Sequence, residues 1–206
     1  MAYKKLIKVS NDCWLTSYKR VILTGDGNYL TTYQRNLTCK TKNLLDIPLT
    51  RGYPSDTTYT NTTLRTFTVG TYIIGISRNN YYRPYNIDNI SVSKNSISFK
   101  VVGASGYGVG IPFLLTVGQT YTISCVVDNN FSPQVGVSYY KEDGTLISYT
   151  ESELINDKHV KSFTVPENTY YTLVTFTGAI GNGYTFSNIQ LELGDTATDY
   201  VPYGHL

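Results

Sequence analysis

The sequence predicts an all-β protein, and three observations carry that prediction. Tyrosine numbers 20 and glycine 17 among 206 residues. Tyr, Thr, Val and Ile favour pleated sheets, whereas Gly, Asn and Asp supply turns. Almost nowhere do apolar residues recur at helical spacing over three turns. From residue 64 onward, short β-prone runs alternate with polar turns about every ten residues, which is typical of a β-sandwich or jelly roll.

Residues 1–42 predict a short strand at Lys4–Val9 and then a β-hairpin. The hairpin spans Val21–Thr32 and turns at Asp26-Gly27, because both positions of an Asp-Gly turn tolerate positive φ. An isolated hairpin is marginally stable in water. We therefore expect this segment to pack on the main domain, on a neighbouring copy or on a larger assembly, with Trp14 either anchoring that contact or simply packing within the segment.

Charge separates the same segment from the rest of the chain. Residues 1–42 carry eight Lys and Arg against two acids, a net charge of +6, whereas the remainder carries nine bases and thirteen acids, a net charge of −4. A basic segment could meet nucleic acid or the acidic side chains of a partner protein. The lysines are scattered and lack an aromatic platform pattern, so we favour the protein partner and expect no nucleic acid.

The main domain is predicted to begin at Asn43-Leu44-Leu45 and to continue through a polar loop over Arg51–Thr63. The glycine-rich run Gly103–Gly110 leads to a proline rather than into a helix, so we predict a mobile surface loop and no phosphate-binding helix start. Ser152–Asn156 is the only plausible helical turn. Strands are predicted at Leu64–Val69, Tyr72–Ser77, Ile90–Val92, Ser96–Val102, Gln119–Val127, Val135–Tyr140, Thr145–Tyr149, Val160–Val165, Tyr170–Phe176 and Tyr184–Leu193.

The last of these strands closes the domain. Ile189, Leu191 and Leu193 are apolar and alternate with Gln190 and Glu192, which predicts one buried and one solvated face. Gly194-Asp195 then ends the strand. The tail after it can lie back along the domain, so that its two tyrosines cover a sheet edge and protect it from foreign strands.

Cysteine content and hydropathy bear on the cellular compartment in which the protein is made. Three cysteines without CxxC spacing predict neither a disulfide framework nor a zinc site. Cys125 lies in an apolar run and is interpreted as a small core residue. The first eight residues are charged without an apolar stretch, so we expect no signal peptide. The chain contains no run of about 18 apolar residues that could span a membrane.

One motif stands out at the end of the chain, the stretch Ile189–Tyr203 with the sequence IQLELGDTATDYVPY. Together with four shorter stretches, it resembles jelly-roll modules of the family 4/9 carbohydrate-binding type, notably versions attached to phage virion proteins. Many of those end in IQLE-G-x-x-A-T-x-Y-x-P-Y. The resemblance covers residues 43–206 and leaves residues 1–42 without a counterpart. The shorter stretches are Asn43–Leu45, Val117–Ser124, Val137–Gly144 and Phe163–Pro166.

The resemblance implies a bacteriophage virion structural protein: a capsid decoration, a tail fibre or a tail/baseplate component. The segment 1–42 would then dock on other virion proteins, and the jelly roll 43–206 would project outward for host attachment. Such appendages are commonly oligomeric, so a homo-oligomer made in the host cytoplasm and located in the virion is expected by analogy. The alternative is a glycan-binding receptor-recognition module, or adhesin, that binds host surface polysaccharide.

Sugar binding requires aromatic faces that stack on pyranose rings and polar groups that hydrogen-bond the hydroxyls. The stretch 78–86 offers both kinds of group, and the glycine-rich run adds a further tyrosine. Contact with a ligand, a subunit interface and plain loop packing remain alternatives for this cluster. The candidate carbohydrate-binding residues are Arg78, Tyr81, Tyr82, Arg83, Tyr85 and Tyr107.

Related modules often hold a structural calcium near their first and last strands, which by resemblance implies a site here. The matching acids are Asp46, Glu192 and Asp195. These carboxylates together with backbone carbonyls could supply the six to eight oxygens that calcium requires. The spacing alone is not diagnostic.

Enzyme signatures are absent from the sequence, so we predict a protein that is not an enzyme. Neither His159 nor His205 stands by a Gly-x-Ser-x-Gly elbow or in a Cys/His/Asn pattern. A pair of carboxylates brought together by a sheet could still cleave a glycosidic bond. Because acids are sparse, glycan cleavage is the least favoured of the three functions.

Overall fold

A computed structural model describes residues 2–10, 13–23, 29–39, 43–45, 47–48, 50–52, 68–77, 81–129, 131–155 and 157–203. The chain divides into two compact units, with residues 43–203 in one and residues 1–42 in the other. Within the described ranges no helix is long and apolar enough to cross a membrane.

The N-terminal unit is an antiparallel sheet of three strands, β1 (Ala2–Ser10), β2 (Cys13–Leu23) and β3 (Tyr29–Cys39), in that order. Leu23 lies opposite Tyr29 in the β2–β3 ladder. This pairing confirms the predicted hairpin, and its Asp26-Gly27 turn lies outside the described residues. The strand predicted at Lys4–Val9 is confirmed as part of β1.

The larger unit is a β-sandwich of two antiparallel sheets, which confirms the predicted jelly-roll fold class. Its five-stranded sheet has the order β10-β9-β13-β7-β4, and its six-stranded sheet has the order β11-β12-β8-β14-β6-β5. The strands are β4 (Ile73–Ser77), β5 (Ile87–Val92), β6 (Ser96–Val101), β7 (Tyr107–Phe113), β8 (Thr120–Val127), β9 (Gln134–Tyr140), β10 (Leu146–Glu151), β11 (Glu153–Ile155), β12 (Lys158–Thr164), β13 (Tyr171–Gly178) and β14 (Gly183–Leu193).

The main core lies between the two sheets and is rich in aromatic rings. Phe186 on β14 stacks on Phe99 of β6 at 5.8 Å and meets Phe176 of β13 edge-on at 5.3 Å, so it joins both sheets. Cys125 belongs to this core, as predicted, and burial raises the pKa of its thiol to about 12. A second apolar cluster, including Ile76 and Leu173, buries the opposite face of the five-stranded sheet.

The loop predicted at Gly103–Gly110 is wrong over its second half, because that half begins the inner strand β7. β7 pairs with β13 on one side and with β4 on the other. A Cβ at Gly108 would lie 1.8 Å from the carbonyl oxygen of Phe176, and one at Gly110 would lie 2.8 Å from Ile76 Cγ2. The glycines therefore permit close packing in the sheet rather than mobility.

Two further predictions need correction or remain open. Glu153–Ile155 forms the edge strand β11 with exposed side chains, so the helical turn predicted at Ser152–Asn156 is wrong. Val69 lies in a turn rather than at the end of a strand, and the preceding residues 64–67 lie outside the described ranges. The other predicted strands have counterparts whose ends coincide or differ by at most three residues.

Candidate functional site

The segment 81–86 folds back along β4, which is the edge strand of the five-stranded sheet. Ser77 N–H donates to the Tyr81 carbonyl at 2.8 Å, and Arg83 N–H donates to the Gly75 carbonyl at 2.6 Å. The Ser77 hydroxyl in turn accepts a hydrogen bond from Tyr81 N–H at 3.0 Å. These bonds satisfy backbone groups of an edge strand and fix the loop as an extension of the sheet.

Extended backbone alternates the directions of the first two tyrosines in this segment. Tyr81 is 44% exposed, whereas Tyr82 is 8% exposed and packs in the second apolar cluster. Tyr82 also pairs with Ile76 in an isolated antiparallel bridge. Tyr85, in the 3-10 helix Pro84–Asn86, is 59% exposed. Of the three neighbouring tyrosines, two can therefore present a ring to a ligand and one belongs to the core.

Two glycines allow the segment to sit against the sheet. Gly75 has a φ of +67°, and a Cβ there would lie 2.3 Å from the Arg83 carbonyl oxygen and 2.4 Å from Pro84 Cα. A Cβ at Gly103 would lie 2.1 Å from Asn86 Oδ1. The Asn86 carbonyl accepts hydrogen bonds from the amides of Val102 and Gly103. The segment is thus tied to the sheet at both of its ends.

Tyr107 and Arg83 complete an aromatic cluster, defined here as Tyr81, Arg83, Tyr85 and Tyr107. Tyr107 begins β7 opposite Ser77 and is buried, and the guanidinium carbon of Arg83 lies 5.9 Å from the centroid of its ring. Burial raises the pKa of Tyr107, Arg83 opposes that shift, and Tyr85 and Tyr81 add to it. The four side chains are therefore close enough to influence one another electrostatically. Tyr107 lies buried beneath the cluster, whereas Tyr81 and Tyr85 are exposed to solvent.

Arg78 was predicted to join this cluster, but residues 78–80 lie outside the described ranges. Its contribution stays a prediction. Tyr107 was predicted as an exposed contact in a mobile loop, and in the structure it lies within a strand.

Glu192, predicted as a metal ligand, is buried and bound by hydrogen-bond donors of the protein itself. Its Oε1 accepts the Thr198 amide at 2.9 Å and Gln190 Nε2 at 2.9 Å, and its Oε2 accepts the Thr198 hydroxyl at 2.6 Å. Gln190 Oε1 accepts the Val201 amide at 2.8 Å. We call this arrangement of Gln190 and Glu192 the tail clamp, because it holds residues 198–201 against β14.

The tail clamp corrects the solvated face that was predicted for β14. Gln190 and Glu192 are buried, as is Leu191 between them, whereas Leu193 is exposed. β14 is also an inner strand, paired with β8 and β6, and the tail covers its polar face rather than a sheet edge. In the sequence, the Gln-x-Glu alternation before a threonine-containing tail is the signal that could have indicated the tail clamp.

The other predicted calcium ligands do not join Glu192 in an acidic cluster among the described residues. The Asp195 carboxylate accepts the Thr196 hydroxyl at 3.0 Å, and the Asp195 carbonyl accepts the Ser162 hydroxyl at 2.7 Å. Asp46 lies outside the described ranges. In the part of the chain that the structure covers, no three His, Cys, Asp or Glu residues are close enough to hold an ion. Calcium binding stays a prediction.

His159 is buried on β12, where its Nδ1 lies 3.2 Å from the Ser152 hydroxyl. That hydroxyl also accepts the Val135 amide, so Ser152 joins β9 to the segment before β11. Burial lowers the pKa of His159. The lowered pKa favours the neutral imidazole, and the contact between His159 and the half-buried Ser152 ties β12 to the segment between β10 and β11.

No protein-family model matches the chain, and no curated protein matches it significantly. Similar solved structures include accessory secretory proteins 1, 2 and 3 of Streptococcus pneumoniae, with 18% identity and a TM-score of 0.44 over 53% of this chain and 87% of that one. The CBM22-1 xylan-binding domain of Paenibacillus barcinonensis has 14% identity and a TM-score of 0.40 over 68% and 92%. Tailspike protein 4 of bacteriophage CBA120 has 14% identity and a TM-score of 0.38, and only 16% of that structure is covered.

Proposed function

We propose that residues 43–203 form a glycan-binding module that recognises its ligand through the aromatic cluster. The observation that carries this proposal is the pair of exposed rings, Tyr81 and Tyr85, held beside Arg83 on a loop anchored to the sheet. Exposed tyrosines present an apolar face together with a hydroxyl. Arg83 adds donors that can hydrogen-bond sugar hydroxyls. An anchored loop also loses less conformational entropy on binding than a free one.

Burial favours the edge of the five-stranded sheet over its outward face as the place where a sugar would bind. On the face of the five-stranded sheet that points away from the core, Ser138, Leu173 and Thr175 are fully buried. These three side chains therefore offer no exposed group to a sugar. The exposed tyrosines beside β4 are left as the candidate stacking surface.

The first prediction tests the two exposed rings. The double variant Tyr81→Ala/Tyr85→Ala should lose binding to the bacterial polysaccharides that the wild-type protein retains on a glycan array. We expect affinity to fall by about tenfold or more, corresponding to about 1.4 kcal/mol. Tyr149→Ala is the matched control, because Tyr149 on β10 is similarly exposed at 49% and lies outside the cluster.

If the double variant binds the polysaccharides as well as the wild-type protein does, the aromatic cluster is not the binding site. If the wild-type protein binds no polysaccharide, the proposed function itself is contradicted. A reducing-sugar assay on the bound polysaccharide separates binding from cleavage. We expect no release of reducing ends.

A second proposal concerns where the module is displayed. The IQLE…VPY ending resembles that of phage appendage proteins, and residues 1–42 belong to a compact unit of their own. We infer that the chain is a virion structural component, a decoration, fibre or baseplate protein, which docks through residues 1–42 as a homo-oligomer. The basic charge of that segment suits an acidic protein partner.

The second prediction is that removing residues 1–42 abolishes incorporation into particles. Antibody raised against residues 43–206 should label purified particles that carry the full chain and should not label particles assembled with the truncated chain. Circular dichroism of the truncated protein confirms that its sandwich remains folded. Full occupancy of particles by the truncated chain would contradict docking through this segment.

A further inference from the structure

A cleft of about 300 Å³ lies at the end of the five-stranded sheet where β9 begins and β13 ends. Its described lining combines serine hydroxyls and a glutamine amide with glycine and alanine. None of those residues is charged. They are Ser105, Gly106, Ser132, Gln134, Gly178 and Ala179.

Strand register places this cleft and the aromatic cluster side by side. Gln134 on β9 lies opposite Thr177 on β13, and the next residue, Gly178, lies opposite Tyr107. Tyr107 lies opposite Ser77, whose hydroxyl binds the Tyr81 amide. Because neighbouring strands lie about 4.8 Å apart, the three spacings from β9 to β4 extend over about 14 Å.

Hydrogen bonds connect the loops at this end of the sandwich to one another. Ser105 Oγ accepts the Ile180 amide at 3.0 Å. The Tyr184 hydroxyl accepts the Ala179 amide at 2.8 Å and donates to the Phe131 carbonyl at 2.6 Å. Both Phe131 and Ile180 are exposed apolar residues at this end, and Phe131 is 63% exposed. Phe131 directly precedes Ser132 of the cleft lining, so an exposed aromatic residue adjoins the cleft on the side of β9, whereas Tyr81 lies beside β4 at the edge of the same sheet.

From this arrangement we propose that the module binds an extended segment of a neutral polysaccharide, with sugar units at the aromatic cluster, in the cleft and beside Phe131. The inference rests on the proposed glycan-binding function and specifies its ligand class. Hydroxyl and backbone groups suit uncharged sugar hydroxyls, which can both donate and accept hydrogen bonds. Anionic polysaccharides are disfavoured in the cleft, because its described lining supplies no cation to offset desolvation of a charge.

The third prediction tests chain length. The polysaccharide bound best on the glycan array is partially hydrolysed and fractionated, and each length is titrated calorimetrically into the full-length protein. We expect affinity to rise by about tenfold or more from the shortest bound oligosaccharide to fragments long enough to span the cleft. Phe131→Ala and Ala179→Trp should abolish this gain, whereas Tyr149→Ala, which lies outside both the aromatic cluster and the cleft, should retain it. Thermal unfolding confirms that both variants fold.

The outcomes separate this inference from the function on which it rests. Equal affinity for short and long fragments, or a length-dependent gain that survives both substitutions, would overturn the extended site and leave glycan binding intact. Failure of the wild-type protein to bind every fragment would instead count against the proposed function. Preference for anionic over neutral polysaccharides would overturn the ligand class.

Discussion

The Gly75→Ala variant should lose both stability and glycan binding, since one glycine joins the edge of the sheet to the aromatic cluster. Gly75 sits at a bulge in the β4–β7 ladder with a φ of +67°. A left-handed backbone costs a residue with a side chain about 1–2 kcal/mol. The new methyl group would also meet backbone atoms of Arg83 and Pro84 at 2.3–2.5 Å. Relieving that clash requires the backbone to shift, at a further cost of about 1–3 kcal/mol.

A second glycine separates these two costs. Gly118 has a φ of +78°, and a Cβ there would meet nothing within 4 Å. Gly118→Ala should therefore lose only the backbone cost of about 1–2 kcal/mol, with no effect on binding. Urea denaturation gives the free energies of unfolding, and titration with the bound polysaccharide gives the affinities. Equal destabilisation of the two variants, or wild-type affinity in Gly75→Ala, would show that the segment 83–84 does not depend on Gly75.

The strands that the sequence predicts correctly are those whose side chains alternate within the run itself. β8 and β13 combine β-branched and aromatic residues, and their patterns are local. β7 could not be recognised in this way. The need for glycine at 108 comes from the Phe176 carbonyl, 68 positions later in the chain. From the sequence alone, a glycine that a strand requires for close packing cannot be distinguished from a glycine in a loop.

The same limit applies to the candidate site. The sequence shows that the stretch 78–86 is rich in tyrosine, but it does not show which of these rings are exposed. Tyr82 is buried because it pairs with Ile76, and that pairing depends on how the chain returns along β4. The cleft at the end of the five-stranded sheet could not be predicted, since its lining comes from loops and strand ends that lie far apart in the chain. Ser105 and Ser132 carry no motif of their own.

Two of the stretches that carry the resemblance, Asn43–Leu45 and Ile189–Tyr203, are physically connected in the structure. Asn43 Oδ1 accepts the amides of Leu45 and Leu191, and its Nδ2 donates to the Ile189 carbonyl. Leu44 N–H donates to the Leu191 carbonyl at 2.6 Å. The start of the domain and its tail thus both dock on β14. Residues from the two ends of the domain therefore support the same strand.

Removing the carboxylate of the tail clamp should release the C-terminal tail. In Glu192→Ala, the Thr198 amide and the Thr198 hydroxyl lose their acceptor, and Gln190 Nε2 loses the shortest of its three hydrogen bonds. Hydrogen bonds to charged groups are worth about 1.5–3 kcal/mol each, and unsatisfied buried groups add a penalty. We therefore expect the free energy of unfolding to fall by about 3 kcal/mol or more, and chymotrypsin to cut the folded protein after Tyr200.

A substitution elsewhere in the same sheet provides the control for this loss. Glu153 on β11 is 74% exposed and lies 3.8 Å from Lys161 in a surface ion pair. Glu153→Ala should cost no more than about 1 kcal/mol and leave the tail resistant to chymotrypsin. Equal losses in the two variants would contradict the clamp.

Metal removal distinguishes the clamp from the predicted calcium site, because the two assign different partners to the same carboxylate. If the three protein donors are the partners of Glu192, wild-type protein should unfold at the same urea concentration in EDTA and in calcium. An ion that binds only the folded state would add stability that grows with its concentration, so EDTA would remove it. A wild-type midpoint that falls in EDTA to that of Glu192→Ala would establish calcium as the partner. An unchanged midpoint, combined with a loss on Thr198→Val, assigns the stabilisation to the protein's own hydrogen bonds.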